Sequence, residues 1–262
     1  SQYGKFYAEF LQPRVCSGLK DLIELGIIPD LPGIYRNDLL ANEKKPLTEK
    51  PIIDAVFLSH AHADHSWNIA LLHPEIPIFC GETTKLLLKA AQETSQGTYY
   101  EDFYSYRECF VDRRKRPERE RNFKTFRTGD LVKVKDIEVE PVHVDHSVPG
   151  AYGFVVYTSS GTIVYSGDLR MHGPKKEMTE EFVEIARKAK PDVLLIEGTN
   201  IDNRLGRLTE DQIFFIIDNL VKKTKGLVIC DFPIRDVDRL KTFFKVAQKN
   251  GRKFVTNMKQ AY

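Results

Sequence analysis

The stretch His60–His65 has the residue types and the spacing of a metal site. It reads HAHADH and places three of the chain's seven histidines and one aspartate within six residues. Imidazole nitrogens and carboxylate oxygens are ligands that zinc, iron and manganese accept. The apolar run DAVFLS directly precedes the cluster, and a loop that follows a strand can direct several side chains at one point. The spacing therefore predicts metal binding by His60, His62, Asp64 and His65.

Two further candidate ligands follow later strands. His146 lies in VDHSVPG and Asp168 lies in YSGDLR, each directly after an apolar run. Six residues supply at most four ligands, so a pair of metal ions requires additional donors. Because both residues stand at strand ends, we expect them to meet the end of DAVFLS and to complete a two-metal set. The residue types suit zinc, iron and manganese equally.

The elements that position these residues alternate between strands and helices, which predicts an α/β fold. Four strands in a row are predicted by LVKV, IEVEPVHV, YGFVVYT and TIVYSG, with SSG as the hairpin turn between the last two. A helix, TEEFVEIARKAK, precedes PDVLLIEG, which we expect to be a buried strand. Thr83 or Thr84 is predicted to cap the helix KLLLKAAQET.

A second unit is predicted to begin at Leu208. Thr209 is expected to cap the helical run TEDQIFFIIDNLVKKTKG, and Asp236–Asn250 reads as another helix. The runs LVICDF and RKFVT read as strands of a parallel sheet. Such a domain normally continues beyond its second strand, so we expect this chain to be a fragment of a longer protein.

As a set, the H-x-H-x-D-H pattern after an apolar strand, the later histidine and the SGD element resemble the metallo-β-lactamase superfamily of hydrolases. The resemblance implies a four-layer αβ/βα sandwich with the site at one edge. It also implies two divalent metal ions, zinc or alternatively manganese or iron. In this interpretation His60, His62 and His146 bind one ion, Asp64 and His65 bind the other, and Asp168 bridges them.

Two later motifs narrow the resemblance to the β-CASP branch. VLLIEGTN places Glu197 at a strand end, as in the first added motif of β-CASP nucleases, and HSVPGAYGF is similar to ribonuclease J and its relatives. The resemblance implies a lactamase-like domain over residues 1–207 that lacks its first strands. It implies a truncated β-CASP domain over 208–262, and it implies catalytic roles for Asp64 and Glu197, with Asp64 orienting the nucleophile.

The function implied by this resemblance is hydrolysis of RNA phosphodiester bonds by a hydroxide that two metal ions activate, in either exonuclease or endonuclease mode. One alternative is a small-molecule hydrolase of the same superfamily that acts on a thioester, a lactone or a phosphodiester. Another is a non-catalytic, nucleic-acid-binding pseudo-nuclease. The second α/β segment argues against the first alternative. The second is opposed by the intact set of His60, His62, Asp64, His65, His146 and Asp168.

The basic stretch Arg113–Arg127 is the candidate for contacts with RNA. It contains eight basic and two acidic residues, a composition that is shared by phosphate-binding tracts and by solvated loops. Phe123 and Phe126 are expected to offer stacking faces to bases. The predicted phosphate contacts are Arg113, Arg114, Lys115 and Arg116.

Bulk composition sets weaker bounds on function. The chain has 262 residues, 42% of them hydrophobic, and a net charge of +2, so total charge favours no class of partner. Because there is no apolar run of roughly 18 residues and no signal sequence, we expect a soluble cytoplasmic protein without a membrane partner. The four scattered cysteines predict buried free thiols rather than a disulfide framework, and oligomeric state is left open.

Overall fold

The computed structural model describes residues 18–40, 50–95, 101–109, 117–199, 201 and 208–261. These residues divide into two compact units. The first unit holds the described residues up to Phe57, together with Ala63–Phe79 and those from Ala91 to Lys124. The second unit holds Leu58–His62, Cys80–Ala90 and the described residues from Thr125 onward. Both contain helices and strands, and the predicted α/β class is confirmed.

Short elements make up the first unit. Its helices are α1 (Gly18–Glu24), α2 (Asn37–Leu40), α3 (Ala63–Ser66) and a 3-10 helix over Trp67–Leu71. The strands that begin in it are β1 (Val56–Phe57), β2 (Ile78–Gly81), β3 (Ser105–Tyr106), β4 (Arg119–Glu120) and β5 (Phe123–Phe126). β1 and β2 pair in parallel, and the rings of Phe57 and Phe79 stack with their centroids 4.9 Å apart. The run DAVFLS thus contributes a much shorter strand than predicted.

Two buried arginines hold the loops of the first unit together. The guanidinium of Arg36 donates to Asp38 Oδ2 at 2.9 Å and to Asp102 Oδ2 at 2.7 Å. Arg121 donates to three backbone carbonyls, those of Ala70, Leu72 and Asp102. Both guanidinium groups lie over the ring of Tyr106. A buried charge is tolerated when its donors are satisfied in this way. The group formed by Arg36, Arg121, Asp38, Asp102 and Tyr106 is called the arginine cluster below.

A five-stranded sheet dominates the second unit, in the order β10-β9-β8-β7-β6. Its members are β6 (Val132–Val134), β7 (Ile137–His143), β8 (Tyr152–Thr158), β9 (Gly161–Tyr165) and β10 (Val193–Leu195). β6 to β9 pair antiparallel with their sequence neighbours, whereas β10 pairs in parallel with β9. The parallel step requires a crossover, which is supplied by helix α5 (Lys176–Ala189).

The core of the second unit forms between this sheet and α5. Phe182 of α5 packs with buried residues of the strands and their loops: Val142, Val144, Ala151, Val155 and Val164. A Cβ at Gly153 would overlap the Phe182 ring, so the ring lies directly on the backbone of β8. The absence of a side chain at Gly153 therefore lets α5 pack closely against β8.

Four further helices lie in or begin in the second unit. Helix α4 (Glu82–Glu93) begins there, and α6 (Glu210–Lys223), α7 (Val237–Lys249) and α8 (Met258–Ala261) follow β10. Of these, α4, α6 and α7 were predicted from the sequence. Thr209 caps α6 through a capping box with Gln212, as predicted. Asp236 caps α7 by accepting a hydrogen bond from the amide of Arg239.

Several sequence-based expectations for single elements are wrong. The runs LVICDF and RKFVT, residues 227–232 and 252–256, form no strand in the described part of the chain. β-Branched and aromatic composition favours a strand only beside a suitable neighbour. β10 is exposed rather than buried because it lies at the edge of its sheet. Thr83 and Thr84 lie inside α4, which begins at Glu82, so neither is its cap.

Expectations from composition hold in part. Cys80 is a buried free thiol, as predicted. Cys230 is free but exposed, and Cys109 is disulfide-bonded, so the expectation of buried free thiols is wrong for both of these residues. Burial raises the pKa of the Cys80 thiol to about 12. Among the described residues, no helix combines the length and the apolar character that crossing a membrane requires.

Candidate metal centre

The turn that contains His60 and His62, called the histidine turn below, is attached to the sheet of the second unit through Ser59. The Ser59 carbonyl accepts a hydrogen bond from the amide of Tyr152 at 2.9 Å, which fixes the turn at the start of β8. The Ser59 hydroxyl lies 3.0 Å from Nδ1 of His60. When Nδ1–H donates to that hydroxyl, Nε2 of His60 keeps its lone pair for a metal ion. Sequence reasoning missed Ser59, although its place directly before the first histidine was a usable signal.

His146 and Asp168 reach the same edge because of strand direction. β7 and β9 both run antiparallel to β8, so they run in the same direction and their carboxyl ends lie at the same edge of the sheet. His146 follows β7 and Asp168 follows β9. Gly167 has a φ of +56°, and a Cβ there would lie 2.8 Å from the Tyr152 carbonyl oxygen. Glycine at this position therefore lets the loop before Asp168 pass close to the start of β8.

Three imidazole nitrogens converge at this edge. His62 Nδ1 lies 3.1 Å from His60 Nε2 and 3.0 Å from His146 Nε2. Asp168 Oδ2 lies 3.8 Å from His60 Nε2 and 3.7 Å from His146 Nε2. The three rings stand nearly perpendicular to one another, with every pair of centroids 4.8 Å apart. The four side chains thus surround one point, with an acceptor atom of each directed toward it.

This arrangement suits a divalent metal ion. Ligand atoms placed tetrahedrally at about 2.0–2.1 Å from zinc are separated from one another by roughly 3.3 Å. The imidazole nitrogens already stand close to that separation. His60 is fully buried, and His62, His146 and Asp168 are partly buried. Three imidazoles and one carboxylate of the predicted set thus lie close enough together to hold a metal ion.

Asp64 and His65 belong to the first unit, on the short helix α3. Their side chains face each other, with His65 Nε2 3.6 Å from Asp64 Oδ2. Asp64 is well exposed and His65 is half-buried. They follow His62 directly along the chain, and the second metal site built from them remains a prediction.

A cavity of about 770 Å³ opens beside His146 and Asp168 within the second unit. Glu197 stands in its wall, where its amide donates to the Ser166 hydroxyl and its carboxylate accepts from the Thr199 amide. The other lining residues include Arg170, Met171, His172, Ile196, Ile201, Leu208, Glu210 and Arg239. The site therefore combines a cluster of possible metal ligands with room for a large substrate group.

Only part of the basic stretch falls within the described residues. Arg113, Arg114, Lys115 and Arg116 lie outside the described residues. Of the described part, Arg121 is buried in the arginine cluster and Phe126 is buried against Tyr152 and Phe154. The expectation that Phe126 stacks on bases is therefore wrong, because an inward-facing strand position places its ring in the core.

A network around Arg170 was not predicted from the sequence. Arg170 forms ion pairs with Asp145 at 2.9 Å and with Asp238 at 2.5 Å. These carboxylates hold the pKa of Arg170 above its ordinary value, against the opposing effect of burial. The guanidinium of Arg235 donates to the carbonyl of Ala61, between the first two histidines. Contacts between residues so distant in sequence leave no periodic pattern by which they could be found.

Comparison with known proteins assigns the class to which this fold and site belong. The family model of the beta-lactamase superfamily domain matches residues 29–225. The chain therefore belongs to the metallo-β-lactamase superfamily and has its fold, as the residue pattern predicted.

Among curated proteins, the chain is similar to ribonuclease J of several organisms. It is 26% identical to ribonuclease J of Mycoplasma genitalium over 86% of this chain and 36% of that protein. It is 25% identical to ribonuclease J of Pyrococcus abyssi over 90% of this chain and 47% of that protein. The chain thus spans about a third to a half of the length of these relatives. A solved protein of unknown function from Enterococcus faecalis is 26% identical, with a TM-score of 0.71, over 97% of this chain and 57% of that one.

Proposed function

We propose that this chain carries the metal centre of a ribonuclease of the β-CASP type, which hydrolyses phosphodiester bonds of RNA. The observation that carries the proposal is the convergence of His60, His62, His146 and Asp168 beside a cavity of about 770 Å³. The similarity to ribonuclease J over 86% or more of the chain favours RNA as the substrate. In this proposal residues 208–262 begin the β-CASP domain.

The donor set fits two divalent ions, with zinc as the first choice and manganese or iron as alternatives. His60, His62 and His146 would hold the first ion, Asp64 and His65 the second, and Asp168 would be shared. Bound ions of this kind lower the pKa of water and neutralise charge that develops on a phosphoryl group. The buried Ser59 hydroxyl keeps the His60 ring in the orientation that this role requires.

The chain's own residues then orient substrate and water. Asp64, exposed and adjacent to the histidine turn, orients the water that attacks phosphorus. Glu197 is held at the cavity wall by Ser166, where its carboxylate accepts a hydrogen bond from water that enters the site. The apolar side chains of Ile196 and Leu208 in the same wall offer a surface for a base.

The test of this function is hydrolysis by the metal-loaded protein of a 5′-labelled single-stranded RNA, with a thioester and a lactone in parallel. We expect cleavage of RNA that is lost on chelation and in His62→Ala, because two imidazoles hold a metal ion poorly. Elemental analysis of both proteins should show that the mutant loses metal at the histidine site. Full metal occupancy in His62→Ala would contradict the assignment of the ligands.

The two alternative functions are outcomes of the same test. Rapid hydrolysis of the thioester or lactone without cleavage of RNA would identify a small-molecule hydrolase. We expect this chain to cleave RNA more slowly than a longer form that spans the length of its relatives. RNA binding with bound metal but without cleavage of any substrate by either form would identify a pseudo-nuclease. Either result would overturn the ribonuclease proposal.

The basic stretch allows a separate test of RNA binding. Contacts to phosphates release counterions, so affinity should fall with salt, with a logarithmic slope of roughly 0.7 per contact on single strands. Replacing Arg113, Arg114, Lys115 and Arg116 with Ala should flatten the slope by up to about 3, as measured by fluorescence anisotropy of a labelled RNA. An unchanged slope would remove these four residues from the interface and leave the proposed chemistry in place.

A further inference from the structure

The ion pair between Asp145 and Arg170 lies next to two candidate metal ligands in the sequence. Asp145 directly precedes His146, and Arg170 follows Asp168 by two residues. Nε and Nη2 of Arg170 lie 3.1 and 2.9 Å from Oδ1 of Asp145. The amide of Arg170 also donates to the carbonyl of Asp145 at 2.8 Å. The loops that carry His146 and Asp168 are therefore joined through both backbone and side chains.

Helix α5 reinforces this pair. The amide of Asp145 donates to the Thr179 hydroxyl at 2.9 Å, and that hydroxyl donates to the carbonyl of Arg170 at 3.0 Å. The second oxygen of Asp145 accepts from the amide of Lys175 at 3.1 Å. The side chains of Asp145 and Arg170 are 3% and 11% exposed, so water competes little for these bonds. A network satisfied to this extent has little freedom to move.

The beginning of helix α7 contacts the same loops. Asp238, in its first turn, accepts from Nη2 of Arg170 at 2.5 Å. Arg235, two residues before the helix, donates to the carbonyl of Ala61 in the histidine turn. One short segment thus reaches the turn of His60 and His62 and, through Arg170, the loops of His146 and Asp168.

We propose that Arg170 is a positioning residue that holds His146 and Asp168 at the separation needed to bind metal, with Asp145 and Asp238 as its anchors. The inference rests on the proposed metal centre and goes beyond it. Arg170 directs three of its five N–H donors to these two carboxylates. Although Arg170 lines the cavity, its main role is therefore to orient the ligand loops, since partners of this kind tune metal affinity.

Gly173 provides a way to disturb the pair without changing any charge. A Cβ at Gly173 would overlap both the Asp145 carboxylate and Nε of Arg170. Gly173→Ala therefore pushes the two groups apart and leaves the charge of both intact. Arg170→Ala removes the cation, and Arg170→Lys keeps the charge but cannot reproduce the planar, multidentate contact.

The experiment compares these three variants with the wild type by calorimetric titration of the metal-free protein with Zn²⁺ and by the absorption spectrum of the Co²⁺-loaded protein. We expect Arg170→Ala and Gly173→Ala to weaken binding at the histidine site by about 10- to 100-fold and to alter the Co²⁺ bands. Arg170→Lys should recover part of the affinity. Arg252→Ala is the matched control, because Arg252 donates instead to the carbonyls of Gly226 and Thr224.

Circular dichroism and thermal unfolding of each metal-free variant separate positioning from folding. A lower melting temperature with unchanged Zn²⁺ affinity and unchanged Co²⁺ bands would show a merely structural ion pair and would overturn the inference. If Arg170→Ala does not fold, Asp238→Asn replaces it, since it weakens one contact and leaves the Asp145 pair intact. We then expect a smaller loss of affinity, and no loss in either Asp238→Asn or Gly173→Ala would overturn the inference.

The same titration distinguishes this inference from the proposed function. A wild type that binds Zn²⁺ and loses affinity in Arg170→Ala, yet does not cleave RNA, would support the positioning role and refute the ribonuclease. A wild type that binds no metal at the histidine site would refute both.

Discussion

The arginine cluster of the first unit and the Arg170 network of the second unit look alike but are placed differently. Arg36 is fully buried between Asp38 and Asp102, and Arg170 is nearly buried between Asp145 and Asp238. The partners of Arg36 also include the carbonyls of Ala70 and Arg107, so it joins distant loops of its own unit. The partners of Arg170 instead lie next to candidate metal ligands.

The difference shows that burial and ion pairing do not by themselves indicate function. Both arginines satisfy their donors within the protein, and both would leave charges unpaired if removed. The two arginines differ in where their partners lie: those of Arg36 lie in structural elements of the first unit, and those of Arg170 include a sequence neighbour of a candidate metal ligand. An ion pair that joins two loops bearing ligands can change a metal site, whereas one that joins structural loops can change only the stability of the fold.

The largest expected effect is on stability, from removing Arg36. Arg36→Met leaves Asp38 and Asp102 as buried carboxylates without their cation, and should lower the free energy of unfolding by about 3–5 kcal/mol. Urea unfolding would measure the loss, with the exposed Arg187→Ala as the control. Zn²⁺ affinity of the folded protein should stay at the wild-type value. A loss of affinity as large as that of Arg170→Ala would remove the distinction between the two networks.

A smaller effect is expected from the hydroxyl that links Asp145 and Arg170. Thr179→Val keeps the shape of the side chain but leaves the buried amide of Asp145 without its acceptor, which should cost about 1–3 kcal/mol of stability. It should also weaken Zn²⁺ binding, though less than Arg170→Ala does. Thr179→Ser, which keeps the hydroxyl, is the control. Equal Zn²⁺ affinity in the Val and Ser variants would show that the hydroxyl has no part in positioning.

The smallest expected effect is a difference in pH dependence between the units. Burial raises the pKa of Asp102 despite the nearby Arg36, so its contribution to stability is present below its ordinary pKa and is lost as pH rises through the folded value. Burial tends to raise the pKa of Glu210, but hydrogen bonds from Arg239 and Thr242 outweigh it and hold that pKa below its ordinary value. Its contribution is therefore present above the ordinary pKa and is lost as pH falls through the folded value.

Unfolding free energies measured between about pH 3 and 6 would reveal these opposite slopes. Asp102→Asn should remove a fall of stability with rising pH, and Glu210→Gln should remove a rise. Slopes that change in the same direction in both variants would show that the two carboxylates do not differ in environment as described.

Sequence reasoning identified the residues whose chemistry is local. His60, His62, His146 and Asp168 were predictable because ligand types recur directly after apolar runs, and the structure brings them together. The cap Thr209 was predicted correctly because capping depends on residues a few positions apart, whereas Asp236 was predicted as part of its helix and is instead the cap. The identification of family and fold followed from the same local motifs.

What the sequence did not reveal depends on neighbours that are distant along the chain. Asp145 and Arg170 stand 25 residues apart and Arg235 contacts Ala61 across 174 residues, so no spacing signals either contact. Arg121 belongs to a basic stretch that is typical of surface phosphate contacts, yet its side chain is buried in the folded protein. The run LVICDF has strand composition, but without a neighbouring strand in the described residues it forms no ladder.

The order of pairing in the five-stranded sheet has a consequence for the time course of folding. β6 to β9 pair with their sequence neighbours, and contacts of short sequence separation close rapidly because little chain entropy is lost. We therefore expect residues 132–165 to form an early folding nucleus that fixes the edge from which His146 projects. His60 lies 86 residues before His146 in the sequence, so we expect the histidine ligands to come together late. A metal ion bound at that step would stabilise the contacts that form last.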